Sequence, residues 1–415
     1  MPSAYDVVVI GGGPAGSTTA ALLAAYGHKV LLLERETMPR YHVGESLIPY
    51  TWFTLNRLGL LDRMHKSANP KKYSVQFVSI AGKVSQPFYF FKTITHECSV
   101  TWQVLRSEFD VMLLDNAREK GAEVRQGVTV RDVLMEGSRV VGVRADLRDG
   151  TRGAEIRAKV VVDASGRDSL LSRRFSWKDR DPELNKVAIW SYFKGSVRAP
   201  GVDEGATTVA YIPDKGWFWH IPLPDDIVSV GVVAEPAYLY RDTRDPNEIL
   251  AREMNACKWI HDRVAGSERV EPVRVTGEFS YYSRQIGGNG FCLVGDAYAF
   301  LDPLFSSGVF LALKGGEMAA DAIHAGLEAG DVSAHHFDEY LKQQQQAVAS
   351  FRVLVRAFYD LTFSFREFLD DYPHLHGAVV DTLVGNVFND LTPLYEALNA
   401  FSKREARAEI TTTTA

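Results

Sequence analysis

The sequence YDVVVIGGGPAG, residues 5–16, decides the fold of this 415-residue chain. Its first six residues are short, valine-rich and followed at once by glycines, which is typical of a buried parallel strand. From Ala15 the pattern is helical as far as Gly27, which we expect to end the helix. A second apolar strand, residues 29–33, then ends at Glu34. The stretch therefore predicts the strand–helix–strand unit of a Rossmann fold.

The glycines of this unit are spaced as in the G-x-G-x-x-G pattern of dinucleotide-binding loops. The first allows a tight turn, the second lets a pyrophosphate approach the backbone, and the third lets helix and strand pack closely. The pyrophosphate would sit at the helix N-terminus, where free amides favour anions. Glu34 stands where a carboxylate can bind a ribose hydroxyl. We predict that the phosphate cradle consists of Gly11, Gly13, Pro14, Ala15 and Gly16.

Composition narrows the class of protein. The formal net charge is -6 and the pI is about 6.0, so we expect neither nucleic acid nor an anionic membrane as a partner. The three cysteines form no CxxC pair, which gives no indication of a metal site and favours a reducing compartment. No run of about 18 apolar residues predicts a membrane-spanning helix. The N-terminal apolar stretch follows no basic segment and is not interpreted as a signal peptide, so we expect a cytoplasmic location.

Further strands at residues 160–163 and 291–296 are expected to return to the nucleotide-binding sheet, with strand-rich stretches between them. Helices are predicted at 50–68, 106–120, 247–262 and 306–328, and a helical pattern continues from about 335 to 403, before a tail that we expect to be frayed. We predict an α/β fold with a discontinuous nucleotide-binding domain interleaved with a β-sheet substrate domain. The proposed ranges are 1–70, 107–180 and 285–335 for the first, 71–106 and 181–284 for the second, and 336–415 for a C-terminal helical region.

Two segments that follow buried strands distinguish FAD from NAD as the bound dinucleotide. They are Asp163-Ala164-Ser165-Gly166-Arg167 and Gly295-Asp296-Ala297. With the glycine loop, they resemble the glutathione-reductase-type flavoproteins of the aromatic-hydroxylase superfamily over most of residues 1–330. The resemblance implies FAD as the cofactor, with Asp296 near a ribitol hydroxyl. It implies that the further cofactor-binding residues are Arg40, Ser46, Arg106, Asp163, Gly295, Asp296, Pro303 and Gly308.

Three more segments narrow the family: VGESLIP at 43–49, GWFWHIP at 216–222 and DPLFSSG at 302–308. Together they resemble the flavin-dependent halogenases, whose W-x-W-x-I-P signature is matched here by Trp217, Trp219, Ile221 and Pro222. The family's catalytic lysine falls on Lys72 in the run Pro70–Phe77, with Lys71 as the adjacent alternative. Ser74 stands where the family usually has glycine.

This resemblance implies that reduced FAD and oxygen oxidise chloride or bromide to hypohalous acid. The helix N-terminus at Ser307 and Gly308 would hold the halide. Hypohalous acid would then pass a tunnel walled by Trp217 and Trp219 to Lys72, which would hydrogen-bond it or form a haloamine. Burial among aromatic rings would lower the pKa of this lysine.

One departure indicates the substrate. Tryptophan-specific members carry a glutamate just before their Ser/Thr-Gly turn, and here Phe305 occupies that place. The sequence therefore resembles the branch that acts on phenols or pyrroles, often tethered to a carrier protein. No second nucleotide-binding fold is visible, so a separate flavin reductase is expected to supply FADH2.

Other interpretations stay open from the sequence. Lys72 can be a solvated surface charge, and the two tryptophans can be ordinary core residues. The Ser-Ser-Gly turn can be a simple helix cap. The aromatic C-terminal helices can pack on the sheet rather than cover the substrate entrance. The alternative enzymes are a geranylgeranyl-reductase-like flavoprotein and an FAD-dependent aromatic monooxygenase. A flavin-binding protein without turnover is the remaining alternative.

Overall fold

The protein is described by a computed structural model covering residues 5–213, 216–277, 280–360 and 363–401. Within these ranges the strands are β1 (Tyr5–Ile10), β2 (Val30–Glu34), β3 (Lys71–Lys72), β4 (Ser74–Val78), β5 (Phe88–Tyr89), β6 (Thr101–Trp102), β7 (Glu123–Gln126), β8 (Thr129–Glu136), β9 (Arg139–Asp146), β10 (Ala154–Asp163), β11 (Lys178–Arg180), β12 (Val187–Lys194), β13 (Thr207–Tyr211), β14 (Trp217–Pro222), β15 (Ile227–Ala234), β16 (Glu268–Arg269), β17 (Arg274–Thr276), β18 (Tyr281–Ser283), β19 (Gly287–Gly288), β20 (Phe291–Leu293) and β21 (Ala299–Phe300).

The helices of the same ranges are α1 (Pro14–Ala25), α2 (Thr51–Leu58), α3 (Leu61–Lys66), α4 (Arg106–Glu119), α5 (Leu170–Arg174), α6 (Pro236–Leu239), α7 (Pro246–Ala256), α8 (Lys258–Val264), α9 (Ser307–Ala329), α10 (Asp338–Tyr359), α11 (Phe365–Asp371) and α12 (His376–Val384). In the described part of the chain, no helix is both long and apolar enough to cross a membrane.

The first sheet has a parallel centre in the order β20-β10-β1-β2-β7. Its central strands are buried on both faces, which explains their unbroken valine and leucine runs. Residues 7–9, 31–33 and 160–162 are at most 1% exposed. Helices α1 and α4 pack on this sheet and α9 packs on α1, while β8 and β9 extend the sheet through an antiparallel pair with β10. The predicted mixed α/β fold with its Rossmann unit is thus confirmed.

The second sheet runs in the order β16-β12-β15-β14-β13-β4-β5, and β17 also pairs with β12. Side chains alternate across β14, as the period of a strand requires. Trp217 and Trp219 belong to a cluster on one face that includes Leu304 and Phe358. Phe218 points to the other face, into a cluster with Trp259 and other residues of α7 and α8. The Phe218 face of this sheet therefore packs on α7 and α8, whereas the tryptophan face packs partly on α10 and also lines a cavity.

The local predictions need three corrections. The helix predicted over 50–68 is two helices, because Gly59 adopts a left-handed conformation that ends α2. The helix over 247–262 is also two, since Cys257 is extended between α7 and α8. The strand over 291–296 stops at Leu293 and gives way to a turn at Gly295. The frayed tail lies outside the described residues, and the domain boundaries remain predictions.

Candidate active site

A single cavity of about 880 Å³ joins the glycine loop of the first sheet to the tryptophan-bearing face of the second. It begins at Gly11 and Gly13, passes Arg40 and Arg106, and ends between the two sheets. The residues that line its inner end include Glu45, Ser46, Ala188, Trp190, Thr207, Val209, Trp217, Trp219, Ile221, Asp302, Pro303, Leu304, Ser306 and Gly308. Such a cavity has room for a large cofactor at one end and a small substrate at the other.

The glycine loop has the close packing that its spacing predicts. A Cβ on Gly16 would lie 2.0 Å from the Gly11 carbonyl oxygen, and a Cβ on Gly11 would lie 2.4 Å from that of Ala164. No described side chain caps the N-terminus of α1, where Gly13 is the capping residue, so this end is available to an anion. Glu34 accepts hydrogen bonds from the backbone amides of Gly12 and Glu36, at 2.6 and 2.8 Å. These features fit the pyrophosphate and ribose of a dinucleotide.

Most of the predicted cofactor-binding residues reach the cavity. The lining includes Gly11, Gly13, Pro14, Ala15, Glu34, Arg40, Ser46, Arg106, Asp296, Pro303 and Gly308. Gly16, Asp163 and Gly295 are not part of this lining. Asp163 is fully buried and accepts hydrogen bonds from the amides of Ser165 and Leu171, at 3.0 and 2.7 Å. It therefore shapes the turn whose next residues, Ala164 to Asp168, face the cavity.

Arg106 is held in place before any ligand binds. Its guanidinium donates two hydrogen bonds to Asp110, at 2.8 and 3.0 Å, and one to the Val43 carbonyl at 2.8 Å. Arg40 also lies 3.2 Å from Asp110. Both arginines border the cavity, and the shared carboxylate orients them toward it. Asp296, which also lines the cavity, is half-buried, and desolvation raises the pKa of its carboxyl to about 6.

Lys72 is 1% exposed, whereas Lys71 lies on the surface. The two alternate across the short strand β3, so Lys72 points inward and Lys71 outward, and the functional role of Lys72 stays a prediction. The Lys72 Nζ donates hydrogen bonds to Ser46 Oγ at 2.8 Å and to the Leu47 carbonyl at 3.0 Å. Lys72 does not itself line the cavity, but Ser46 does. Burial lowers the pKa of Lys72 to about 7.

Two further polar groups complete this corner of the cavity. The Ser46 hydroxyl lies 2.9 Å from that of Thr207, which accepts a hydrogen bond from Gln103 at 2.8 Å. Glu45 is buried, and its carboxylate accepts a 2.5 Å hydrogen bond from the Tyr192 hydroxyl. Burial raises the pKa of Glu45, although the hydrogen bond from Tyr192 opposes the rise. The VGESLIP segment thus presents a carboxyl and a lysine-bound hydroxyl side by side.

The aromatic wall depends on a glycine in the neighbouring strand. The Trp219 indole packs over Gly231 of β15, and a Cβ there would lie 2.3 Å from the ring. The Trp219 N–H donates to Ser229 Oγ at 3.0 Å, while the Trp217 N–H donates to the Tyr359 hydroxyl at 2.8 Å. Both indoles are therefore fixed at their polar ends and present their faces to the cavity.

The DPLFSSG segment forms the remaining side of the cavity. Ser306 has a left-handed backbone with φ of 55° and is the capping residue of α9, and no described side chain caps that helix. Gly308 faces open space in the cavity, while Ser307 is buried behind it. Asp302 is 3% exposed and accepts a hydrogen bond from Tyr359 at 3.0 Å. A helix N-terminus and a buried carboxyl thus lie on one side of the site.

The chain matches the family model described as an FAD binding domain over residues 4–350. It is 34% identical to the 1H-pyrrole-2-carbonyl-(peptidyl-carrier protein) chlorinase of Pseudomonas fluorescens, over 93% of this chain and 90% of that protein. It is 33% identical to the corresponding brominase of Pseudoalteromonas luteoviolacea, over 93% of each. The chain belongs to the flavin-dependent halogenases. The solved structure of the flavin-dependent brominase Bmp2 superposes on this halogenase with a TM-score of 0.86 and 31% identity, covering 99% of both chains.

This membership confirms an FAD-dependent enzyme that uses a halide, as the motifs predicted. The reductase, hydroxylase and non-catalytic alternatives are not retained, because the full-length relatives are named halogenases. Several residues of the site were missed from the sequence: Glu45, Tyr192, Thr207, Gly231, Asp302 and Tyr359. Glu45 and Asp302 had a detectable signal, since each is an acid within a recognised motif. The others are brought to the site only by the pairing of distant strands and helices.

Proposed function

We propose that this halogenase chlorinates or brominates a pyrrole ring carried by a peptidyl carrier protein. The supporting observation is similarity along nearly the whole chain to two halogenases named for that substrate, at 34% and 33% identity. Phe305, which packs against the tryptophan cluster, adds support, because it stands where tryptophan-specific members carry a glutamate. A cavity with three indoles in its wall also suits a flat, electron-rich ring.

Bound reduced FAD supplies, with oxygen, the oxidising equivalent that converts halide to hypohalous acid. Gly11, Gly13 and the N-terminus of α1 would hold its pyrophosphate, and Arg40 and Arg106 border the same space. The uncapped N-terminus of α9, at Ser307 and Gly308, would hold the halide through its free amides.

The lysine would act at the far end of the cavity. Lys72 donates to Ser46, and Ser46 reaches the cavity surface, so the ammonium holds the oxidant either directly after a side-chain rotation or through the serine hydroxyl. Trp217 and Trp219 keep the path between the two ends narrow and apolar. This arrangement excludes bulk water, which would otherwise carry the oxidant away.

We also propose that a separate flavin reductase supplies FADH2 and that the enzyme acts in the cytoplasm. The described strands form one Rossmann-type sheet, and the second sheet has no parallel nucleotide-binding centre within the described residues. All three cysteines are free, which suits a reducing compartment.

The test supplies the enzyme with reduced FAD, oxygen and either chloride or bromide. Three substrates are compared: a pyrrole-2-carbonyl group loaded on a carrier protein, the free pyrrole-2-carboxylate, and a simple phenol. We expect halogenated product, recognised by its halogen isotope pattern in mass spectra, on the carrier-bound ring. Product on the phenol alone would overturn the substrate assignment. A second assay supplies oxidised FAD and NADH with or without a flavin reductase, and product that does not depend on the reductase would contradict the reductase proposal.

A further inference from the structure

Asp302 is a buried carboxylate on the wall of the cavity, and the reaction steps above do not use it. It is 3% exposed and lies in the loop between β21 and α9. One carboxylate oxygen accepts a hydrogen bond from the Leu304 amide at 2.9 Å, and the other accepts one from the Tyr359 hydroxyl at 3.0 Å. Burying a carboxylate costs free energy, so a buried carboxylate at a cavity is a candidate functional group.

Tyr359 connects this carboxylate to the aromatic wall. It is the last residue of α10, and its hydroxyl accepts a 2.8 Å hydrogen bond from the Trp217 indole while donating to Asp302. Trp217 and Asp302 both line the cavity, so a ring lying against the indole would be near the carboxylate. The carboxylate is held in one orientation by groups from the loop and from α10.

Halogenation of a ring releases a proton, and the site needs a group to take it. The glutamate of tryptophan-specific members is replaced here by Phe305, three residues after Asp302. Among the acids that line the cavity, Glu45 also lies close to the second sheet, but its carboxylate accepts a 2.5 Å hydrogen bond from Tyr192 and feels the positive charge of Arg106. Asp302 lines the cavity together with Trp217 and Leu304, and the charge that acts on its carboxyl is that of Lys186.

We propose that Asp302 is the general base that accepts the proton lost by the substrate ring, with Tyr359 as its positioning residue. This inference rests on the proposed function. A ring carbon attacks the halogen of hypohalous acid, so the carbon–halogen bond forms and the halogen–oxygen bond breaks, releasing hydroxide. The carbon–hydrogen bond then returns its electron pair to the ring, and its proton moves to Asp302. Transfer of that proton to the hydroxide gives water and restores the carboxylate.

The charged surroundings of Asp302 suit this role. Burial raises the pKa of its carboxyl to about 7, while the hydrogen bonds from Leu304 and Tyr359 and the charge of Lys186 oppose the rise. A base is most effective when its pKa lies near the working pH. Lys186 lies 4.4 Å from the Tyr359 ring and is paired with Glu235 at 3.0 Å, so its charge is partly neutralised.

The first test is Asp302→Asn with a ring-deuterated substrate. We expect the rate of halogenated product to fall by about 10²-fold or more, the usual effect of losing a general base. The deuterated substrate should then react more slowly than the protiated one, because proton loss has become rate-limiting. Glu253→Gln is the matched control, since Glu253 is a buried carboxylate that also accepts from a tyrosine but lies outside the cavity. It should show no isotope effect.

The second test is Tyr359→Phe, which removes the hydrogen bond to the carboxylate. Because that bond lowers the pKa of Asp302, its loss should move the acid limb of the halogenation rate to higher pH. A merely structural role would lower the rate equally at every pH. Wild-type product formation by Asp302→Asn with no isotope effect, or an unmoved acid limb in Tyr359→Phe, would overturn the assignment. Absence of product from the wild-type enzyme would instead contradict the proposed function.

Discussion

At the scale of one residue, burying the amino group of Lys72 lowers the stability of the fold. A lysine whose pKa is lower in the folded chain than in the unfolded chain destabilises the fold below the unfolded value. For Lys72 the change is from 10.5 to about 7, so the penalty is present at neutral pH and shrinks as the pH rises toward 10.5. The two hydrogen bonds to Ser46 and Leu47 offset only part of it.

Replacing Lys72 by Met should therefore stabilise the fold at pH 7, by roughly 1–4 kcal/mol if the gain is like that seen when apolar side chains replace buried ion pairs. The gain should shrink between pH 7 and pH 10. Urea unfolding of the FAD-free protein at several pH values measures it. Lys71→Met is the control, since Lys71 is exposed and its change should be within about 0.5 kcal/mol. A gain that does not depend on pH would contradict this account.

Halogenation activity should depend on Lys72 and not on Lys71. Lys72→Ala is expected to abolish halogenated product while oxidation of reduced FAD continues, because the flavin end of the cavity is unchanged. Lys71→Ala should retain product formation. Product by mass spectrometry and flavin oxidation by absorbance are measured on the same samples. The reverse outcome would show that the motif has been aligned one residue out of register.

The family pattern predicted Lys72 from the sequence, and the structure adds that Lys72 is the buried member of the pair, while its role remains to be tested by the two variants. The sequence was not enough to find the partners of the site's carboxyls. Tyr192 lies 147 positions from Glu45, and Tyr359 lies 57 positions from Asp302. Such pairs depend on how sheets and helices meet, which no local pattern encodes.

At the scale of elements, β15 determines the shape of β14's aromatic face. Gly231→Ala would place a Cβ 2.3 Å from the Trp219 ring and 2.5 Å from the Trp190 Cβ, so the indole has to move. We expect a loss of roughly 1–3 kcal/mol in stability, typical of overpacking, and a lower rate of halogenation with FAD affinity retained. Gly266→Ala, which meets no atom within 4 Å, is the control. Unchanged turnover in Gly231→Ala would show that the position of Trp219 is unimportant.

For helix α1 we expect the reverse effect, which is a loss of FAD affinity. A Cβ on Gly16 would lie 2.0 Å from the Gly11 carbonyl, so Gly16→Ala forces α1 away from β1 and distorts the phosphate cradle. We expect FAD affinity to fall sharply, measured by flavin fluorescence quenching. Wild-type affinity in this variant would exclude the close helix–strand contact as a requirement for binding. This element was predictable because strand, glycine turn and helix are contiguous in sequence.

For the whole molecule, the cavity is lined by residues from Ile10 to Ala312, so its two ends are brought together only in the folded chain. FAD should bind the folded state alone and stabilise it by mass action. At about 100 times its Kd, FAD should add roughly 2.7 kcal/mol to the unfolding free energy. Denaturant titrations with and without FAD measure this. An FAD-independent midpoint would contradict the proposed cradle.

The aromatic wall described above also limits how long each enzyme molecule can work. Trp217, Trp219 and Trp190 are electron-rich rings placed where hypohalous acid must travel, and such rings are themselves halogenated by that acid. When no pyrrole is present to consume it, hypohalous acid should react with these tryptophans instead. The enzyme would then carry a finite number of turnovers, and its inactivated form should show halogenated tryptophans in peptides from β12 and β14. Saturating substrate should protect those peptides and extend the working lifetime of the protein.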